Sequence, residues 1–382
     1  MNATTRRFPD VGAMLAVLQP SYPVYCVHPD RIRVAARRFT ERFAGRVLYA
    51  VKCNPHPLVL RALWDGGIRH FDTASLPEIA QVCEQLDQSV AYFMHPVKAR
   101  EAIRTAFRVY QVDTFVVDHP DELTKVIDEV GSQGISVVVR IATPQAVGTL
   151  YHLADKFGAP EEEAAELLRA AAAKGCGTGI AFHVGSQCAR PRAYIEALEV
   201  VGEVLEAAGT RIGLLDVGGG FPAAYPDRQV PPIEDFLVAI ESGTRALRLD
   251  PDCVLMCEPG RALVADGCSL VIQVQLRKGD RLYVNDGLHG SLSEVETAGI
   301  RFPVRLHRRG GAPVATATRR FVLNGPTCDS LDVLPLEFEL PEDAGEGDWI
   351  EVSQCGAYSN ALATSFNGFH PETFVEIEEG EG

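Results

Sequence analysis

Lys52 directly follows the apolar run 47–51. A lysine where a buried strand ends loses part of its hydration, which lowers its pKa and frees the amine for imine chemistry; the alternative is a rim lysine that snorkels to water. Gly218, Gly219 and Gly220 leave a second apolar run, 214–217. Three residues without Cβ let the backbone close on a ligand and turn successive N–H groups toward an anion, phosphate above all, although a glycine triplet also serves simply to turn a corner. Glu258 ends a third run, 254–257. A carboxylate beside a phosphate needs a cationic partner. An aldehyde for Lys52, a phosphate for the glycines and a basic ring nitrogen for Glu258 occur together on one small molecule, pyridoxal phosphate.

Other apolar runs also end in polar residues: Asp72 in FDTAS, His95 in FMH, Asp118 and His119 in VVDH, Arg140 in VVRIA, His183 and Ser186 in FHVGSQ, Asp216 in DVGGGFP and Arg261 in CEPGR. Singly, each has an ordinary explanation as a helix cap or a satisfied polar group. Their convergence on one kind of position weakens that explanation.

The elements that must place them follow one rhythm. Apolar runs at 47–51, 68–71, 90–93, 114–117, 137–141, 180–184, 214–217 and 254–257 each precede an amphipathic helical segment, such as LPEIAQVCEQL, PDELTKVIDEVG or RAYIEALEVVGEVLEAAG. Eight such units match a (β/α)8 TIM barrel, a fold of roughly 250 residues whose active sites lie where the strands end. A doubly wound open sheet shows the same alternation and is the competitor. The stretch 143–174 holds an insertion. Past Gly260 the texture turns to short β-rich runs, SLVIQVQLR, RLYVNDG, RFPVRLHR, RRFVLNG, LEFEL and DWIEVSQCG, and the early run YPVYCVH is suited to join them. The acidic tail EIEEGEG is expected to fray. The fold class expected is α/β: a barrel over residues 28–263 and a second, C-terminal antiparallel β-domain over 264–382, completed by 1–27.

With 382 residues, 46% hydrophobic and 23% charged, the chain has material for a large core and is not a disordered segment. A net charge of −15 disfavours nucleic acid and anionic membrane surfaces as partners. No apolar stretch approaches the roughly 20 residues that span a bilayer, and the first residues lack a secretion signal, which predicts a cytoplasmic protein. The ten cysteines are scattered, without the paired spacing of a zinc site, so buried free thiols and no metal are expected.

Seven ordered motifs, YAVKCN, FDTAS, HVGSQ, DVGGGFP, EPGR, GPTCDSLD and GAYSNALATSFNGF, span nearly the whole chain. In these the sequence resembles the group IV, alanine-racemase-like decarboxylases, which include ornithine and diaminopimelate decarboxylases. The resemblance implies that Lys52 holds the cofactor's aldehyde, that Asp72 lies beside it, that His183 stacks on the ring and that Glu258 pairs with the ring nitrogen. It also implies that Ser186, Gly218 to Gly220, Arg261 and Tyr358 hold the phosphate and that Arg140 sits near the ring hydroxyl. By the same resemblance each active site is built from two subunits of a homodimer. Cys328 and Asp329 would then enter the partner's site, Cys328 as proton donor to Cα and Asp329 to bind the distal ammonium, while Lys156 would bridge to Asp332 across the interface.

The segment LHGSLSEVETAGIRFP departs from the pattern of ornithine decarboxylases: His289 replaces a tyrosine, and no aspartate stands near Ala298 to grip a distal amine. Glu294 and Glu296 are candidates for the missing carboxylate, with solvated loop glutamates as the favoured reading. The resemblance thus implies a decarboxylase of a basic L-amino acid, ornithine first, then lysine or 2,4-diaminobutyrate. Diaminopimelate decarboxylase, whose motif has a glutamate where this chain has Asp329, and a non-catalytic regulatory homologue are the alternatives.

Overall fold

The structure, a computed structural model, describes residues 6–143, 149–150 and 156–378. Two strands come first, β1 (Arg7–Phe8) and β2 (Val24–Val27). Eight follow: β3 (Arg46–Ala50), β4 (His70–Thr73), β5 (Val90–Phe93), β6 (Thr114–Val117), β7 (Ser136–Arg140), β8 (Gly177–Ala181), β9 (Leu214–Asp216) and β10 (Val254–Cys257). All pair in parallel, and β10 pairs with both β9 and β3 through Met256, opposite Asp216 and Arg46 respectively. The sheet is therefore a closed barrel and not the open doubly wound alternative.

Six of the eight apolar runs coincide with strands to within a residue or so, and two do not. The run at 180–184 begins near the end of β8, whose first residues are Gly177, Thr178 and Gly179. Gly179 is small because a Cβ there would lie 2.8 Å from the Leu214 side chain of the neighbouring strand. The run at 68–71 starts two residues before β4 because the buried Ile68 precedes it.

Alternate strand residues fill the barrel, with Leu48, Tyr92, Val116, Val138, Ala181 and Met256 in one buried cluster. At its N-terminal end the Tyr92 hydroxyl lies 3.1 Å from Arg46 Nη1 and 3.1 Å from His70 Nδ1. Packing and these polar contacts occupy the lower barrel and leave the strands' C-terminal ends for a site. Just past β4 the chain turns at a capping arrangement: Ser75 Oγ accepts Glu78 N–H, and the Glu78 carboxylate accepts Ala74 N–H at 2.6 Å.

After a short helix, Arg261–Val264, the remaining strands build the second domain: β11 (Cys268–Lys278), β12 (Arg281–Val284), β13 (Val304–His307), β14 (Thr318–Asn324), β15 (Val333–Pro341), β16 (Trp349–Val352) and β17 (Thr373–Ile377). Most pairs are antiparallel, and β2 joins by pairing with β11. Three pairings differ from the expected antiparallel pattern: β12 with β14, β17 with β2 and β1 with β17 are parallel. The last two arise because both ends of the chain return to one edge of this sheet. The tail differs accordingly at its start, since Glu376 and Ile377 are in β17, with Ile377 buried; residues 379–382 lie outside the described residues. The expected insertion within 143–174 falls partly on 144–148 and 151–155, also outside them, and the rest includes the helix Glu161–Ala173.

Close backbone approach ties the second domain to the barrel mouth near Gly356. Gly356 N–H donates to Ala265 O at 3.0 Å, and a Cβ on Gly356 would strike Val264 O, so no larger residue allows this approach. Two residues on, Tyr358 N–H donates to Cys53 O at 2.8 Å.

Candidate active site

A cavity of about 510 Å³ opens where the barrel strands end. Lys52 reaches it from the single 3-10 turn Val51–Cys53 that follows β3, and Asp72, in β4, forms an ion pair with its Nζ. Arg140 is the last residue of β7, with its guanidinium carbon 5.6 Å from the Phe157 ring centre. His183 follows β8, and its Nδ1 accepts Gly185 N–H at 2.9 Å. Ser186, Gly220 and Glu258 also line the cavity, from the loops after β8, β9 and β10. Arg261 and Tyr358 complete it, the Arg261 guanidinium carbon 5.0 Å from the Tyr358 ring centre. Tyr358 takes a left-handed φ of 60°, unusual for a bulky side chain, and the bond to Cys53 O holds it there.

Not every strand-end residue belongs to this site. His119 Nδ1 accepts Asp121 N–H at 3.1 Å and caps the next helix, and Asp118 accepts Gly158 N–H at 3.0 Å; for these two the ordinary explanation suffices. His95 lines the cavity while its Nδ1 accepts Val97 N–H at 3.2 Å.

The three glycines satisfy two demands at once. A Cβ on Gly218 would strike Phe182 O, one on Gly219 would lie 2.6 Å from Glu258 O, and one on Gly220 would strike Gly185 O, so the triplet packs between the loops after β8 and β10. Positive φ values of 67° at Gly218 and 98° at Gly220 add a second reason. Gly218 N–H is taken by Asp216 Oδ1 at 2.8 Å, whereas among the described residues nothing accepts the N–H of Gly219 or Gly220.

Charge sets the chemistry. Burial disfavours the Lys52 ammonium, but Asp72 and then Glu258 outweigh it and hold this amine above the ordinary lysine range. The lowered pKa expected from desolvation alone is therefore incorrect for the chain by itself, because carboxylates from other strand ends converge on the amine. Burial, then Asp216 and Asp72, push the Glu258 carboxyl well above its usual range, while Lys52 and Arg140 pull it back. Burial, with Arg140 and Lys52 adding to it, pushes His183 well below the ordinary histidine range, which leaves its ring neutral at pH 7.

Arg261 has a partner that the sequence did not reveal. Its Nη1 and Nη2 donate to Glu294 at 2.8 and 2.6 Å, and Nη1 also reaches the Tyr225 hydroxyl at 3.1 Å. Glu294 is 2% exposed, which corrects the expectation of a solvated loop residue; Glu296 is exposed as expected. The correction has a physical cause: a carboxylate is buried where a fork-shaped guanidinium meets it with two hydrogen bonds. Arg261 Nε keeps no partner among the described residues and is buried. Removing one member of a buried ion pair strands the other, so Glu294→Ala is expected to lower the stability of the cofactor-free protein by about 3–5 kcal/mol, with Glu294→Gln losing less. Denaturant unfolding checks this, and an alanine variant as stable as wild type would contradict it.

Cys328 and Asp329 stand apart, on the loop between β14 and β15, and do not line the cavity. Cys328 is exposed, and Asp329 Oδ2 lies 2.8 Å from His289 Nε2. The remaining nine cysteines are buried or half-buried, and all ten are free. Asp332 is buried and accepts Leu288 N–H at 2.8 Å and the Thr327 hydroxyl at 2.6 Å, while Lys156 is exposed beside Phe157. Phe157, which lines the cavity, and Tyr225, which meets Arg261, were missed by sequence reasoning, and Glu294 was named there only as a candidate for the distal-amine carboxylate. For Phe157 the signal was its place beside Lys156; Tyr225 had none.

The cavity fits pyridoxal phosphate. Lys52 offers the amine, Glu258 the acid group for a ring nitrogen and His183 a flat neutral ring, and Gly219 N–H, Gly220 N–H and Arg261 Nε are unclaimed donors for an anion.

Residues 29–265 match the family described as "Pyridoxal-dependent decarboxylase, pyridoxal binding domain". The chain is 36% identical over 343 residues to the lysine/ornithine decarboxylase of Selenomonas ruminantium, covering 87% of this chain and 84% of that protein. The arginine decarboxylase of Paramecium bursaria Chlorella virus, solved with agmatine bound, superposes with a TM-score of 0.84 at 28% identity, over 95% of this chain and 98% of the other. A protein named antizyme inhibitor 2, from Xenopus laevis, is 32% identical over 355 residues, 84% of this chain and 73% of that one.

Proposed function

The chain belongs to the pyridoxal-dependent decarboxylases, and from that membership we propose that it decarboxylates a basic L-amino acid, ornithine first, with lysine and 2,4-diaminobutyrate next. Its cofactor is pyridoxal phosphate. The observation that carries the proposal is one cavity walled by Lys52, Asp72, Glu258 and Gly220, with Arg261 Nε unclaimed beside them.

When bound, the cofactor supplies an electron-poor ring that takes up the electron pair left when the Cα–carboxylate bond breaks. Lys52 would hold its aldehyde, and Asp72 keeps the Lys52 amine charged and in place when it is free. His183 would hold the flat face of the ring. Ser186, the N–H groups of Gly219 and Gly220, Arg261 through Nε and Tyr358 would hold the phosphate, Gly218 N–H being taken by Asp216, and Arg140 would lie near the ring hydroxyl. Glu258 would hold the ring nitrogen and keep a proton there, since an adjacent carboxylate favours the charged form. Glu258→Gln removes that charge while keeping the shape, so turnover is expected to fall by about two orders of magnitude or more with cofactor affinity less affected. Equal rates for wild type and variant would place this function on another residue.

Cys328 and Asp329 are assigned to the second subunit's site, Cys328 to protonate Cα and Asp329 to bind the distal ammonium, since a buried ammonium without a carboxylate would cost several kcal/mol. Exposure supports a homodimer that covers this loop: Leu331 is 75% exposed, Leu362 51% and Phe366 44%, and Cys328 N–H donates to Asn367 Oδ1 at 3.0 Å within the same patch. The proposed domain limits are 28–263 for the barrel and 1–27 with 264–382 for the β-domain. Ten unpaired thiols fit a reducing, cytoplasmic compartment, and a diamine product fits polyamine biosynthesis.

The likeness to antizyme inhibitor 2 keeps a non-catalytic regulator as the second reading. One measurement decides among the readings: CO2 release from ornithine, lysine, arginine, 2,4-diaminobutyrate and diaminopimelate. Highest kcat/KM for ornithine is expected. Preference for diaminopimelate would overturn the substrate class, and release from none would favour the regulator.

A further inference from the structure

Asp216 ends β9 with none of its surface exposed. Gly218 N–H occupies its Oδ1, and Oδ2 meets no donor group among the described residues. Beside it, at the end of the neighbouring strand, stands Glu258. The strands impose this placement: Asp216 stands opposite Met256 in the β9–β10 register, and Glu258 N–H donates to Gly218 O at 2.8 Å.

Two ionised carboxylates are acceptors only, so the buried Oδ2 of Asp216 and the neighbouring Glu258 carboxyl group can satisfy each other only through a proton. The surrounding charges require it too. Lys52 and Arg140 face the cluster from the ends of β3 and β7, and Asp72 faces it from β4, so two cations meet three carboxyl groups and a single proton makes the cluster neutral. His183 is neutral, and the thiol of Cys257 behind the pair is pushed well above its ordinary range by burial and by both carboxyl groups.

We propose that Asp216 and Glu258 hold one proton between them at neutral pH, and that Asp216 is thereby the positioning residue that fixes Glu258 against the cofactor's ring nitrogen. The second part rests on the assignment of Glu258 made above; the shared proton does not. Burial, against the pull of Gly218 N–H, lifts the Asp216 carboxyl well above the ordinary carboxylate range. A pair this closely coupled titrates as a unit, so the proton belongs to both residues rather than to either.

The amide replacements separate a hydrogen-bonding role from a charge role. Asp216→Asn still accepts Gly218 N–H and donates an N–H to Glu258, whereas Asp216→Ala does neither. Cofactor affinity, measured by equilibrium dialysis, is expected to weaken at least tenfold in Asp216→Ala and to be restored to within about threefold of wild type in Asp216→Asn. Asparagine as damaging as alanine would mean that Asp216 acts as an ionised carboxylate and would overturn the proposal. A second readout needs no cofactor: in infrared difference spectra of the cofactor-free protein at pH 7, the carbonyl band of one protonated carboxylic acid should be present in wild type and absent from both Asp216→Asn and Glu258→Gln. If that band is missing from wild type, or survives in either variant, the shared proton is refuted. If the band behaves as expected while Glu258→Gln turns over at the wild-type rate, the shared proton stands and only the assignment of Glu258 falls.

Discussion

Lys52→Ala is expected to lose nearly all decarboxylation, together with the visible absorbance that bound cofactor gives the wild-type protein. Lys52 is the one lysine lining the cavity among the described residues, so no neighbouring amine takes its place. The substitution also removes the main cation from a carboxyl cluster. Glu258 and Asp216, whose carboxyl groups are already held above the ordinary range, stand close by, so without the ammonium their folded-state pKa values rise further above those of the unfolded chain. A carboxyl group raised in this way is protonated more in the folded state than in the unfolded one, and stability falls as pH rises through that window. The cofactor-free variant should therefore lose more stability relative to wild type at pH 8 than at pH 5, a difference that denaturant midpoints at the two values measure. Wild-type turnover in the variant would show that Lys52 is not the attachment point, and a stability difference independent of pH would show that the carboxyl groups do not depend on it.

Much of this arrangement was legible before any coordinates. Parallel barrel strands are buried on both faces and appear as apolar runs, and many of the polar residues that end them line the cavity, so Lys52, Asp72, His183 and Glu258 could be named from position alone, although Asp118 and His119 at the same kind of position do not line it. What stayed hidden depends on neighbours that pattern does not give. Glu294 lies in the polar-looking segment SEVETAG, and only the fork of Arg261 makes its burial intelligible. Asp216 was named among the strand-end residues of DVGGGFP, but its neighbour Glu258 comes from another strand and pattern does not give that pairing. The charge state of Lys52 was misjudged for the same reason: desolvation is inferred from a strand end, but the carboxyl groups that outweigh it arrive from β4 and from the loop after β10. In β8, glycines required by close packing weaken the apolar run and shift its apparent register.

The proposal that each active site is shared makes the other large prediction. Cys328 and Asp329 lie on the loop between β14 and β15, outside the cavity of their own chain, and Cys328 is exposed. If two copies associate about a two-fold axis, each barrel meets the other copy's β-domain, and a site needs Lys52 from one chain and Cys328 from the other. Lys52→Ala and Cys328→Ala should then each be nearly inactive for decarboxylation. Dissociated, mixed in equal amounts and reassociated, they form heterodimers in which one site carries both lesions and the other neither. Random pairing makes about half of all dimers mixed, and half of the sites in those dimers are intact, so activity should return to about a quarter of wild type. A site confined to one chain gives a different result, because every barrel in the mixture then carries one lesion and nothing is restored. Failure to recover activity, with subunit exchange shown independently by mixed-mass dimers, would assign Cys328 to its own barrel or to no catalytic part.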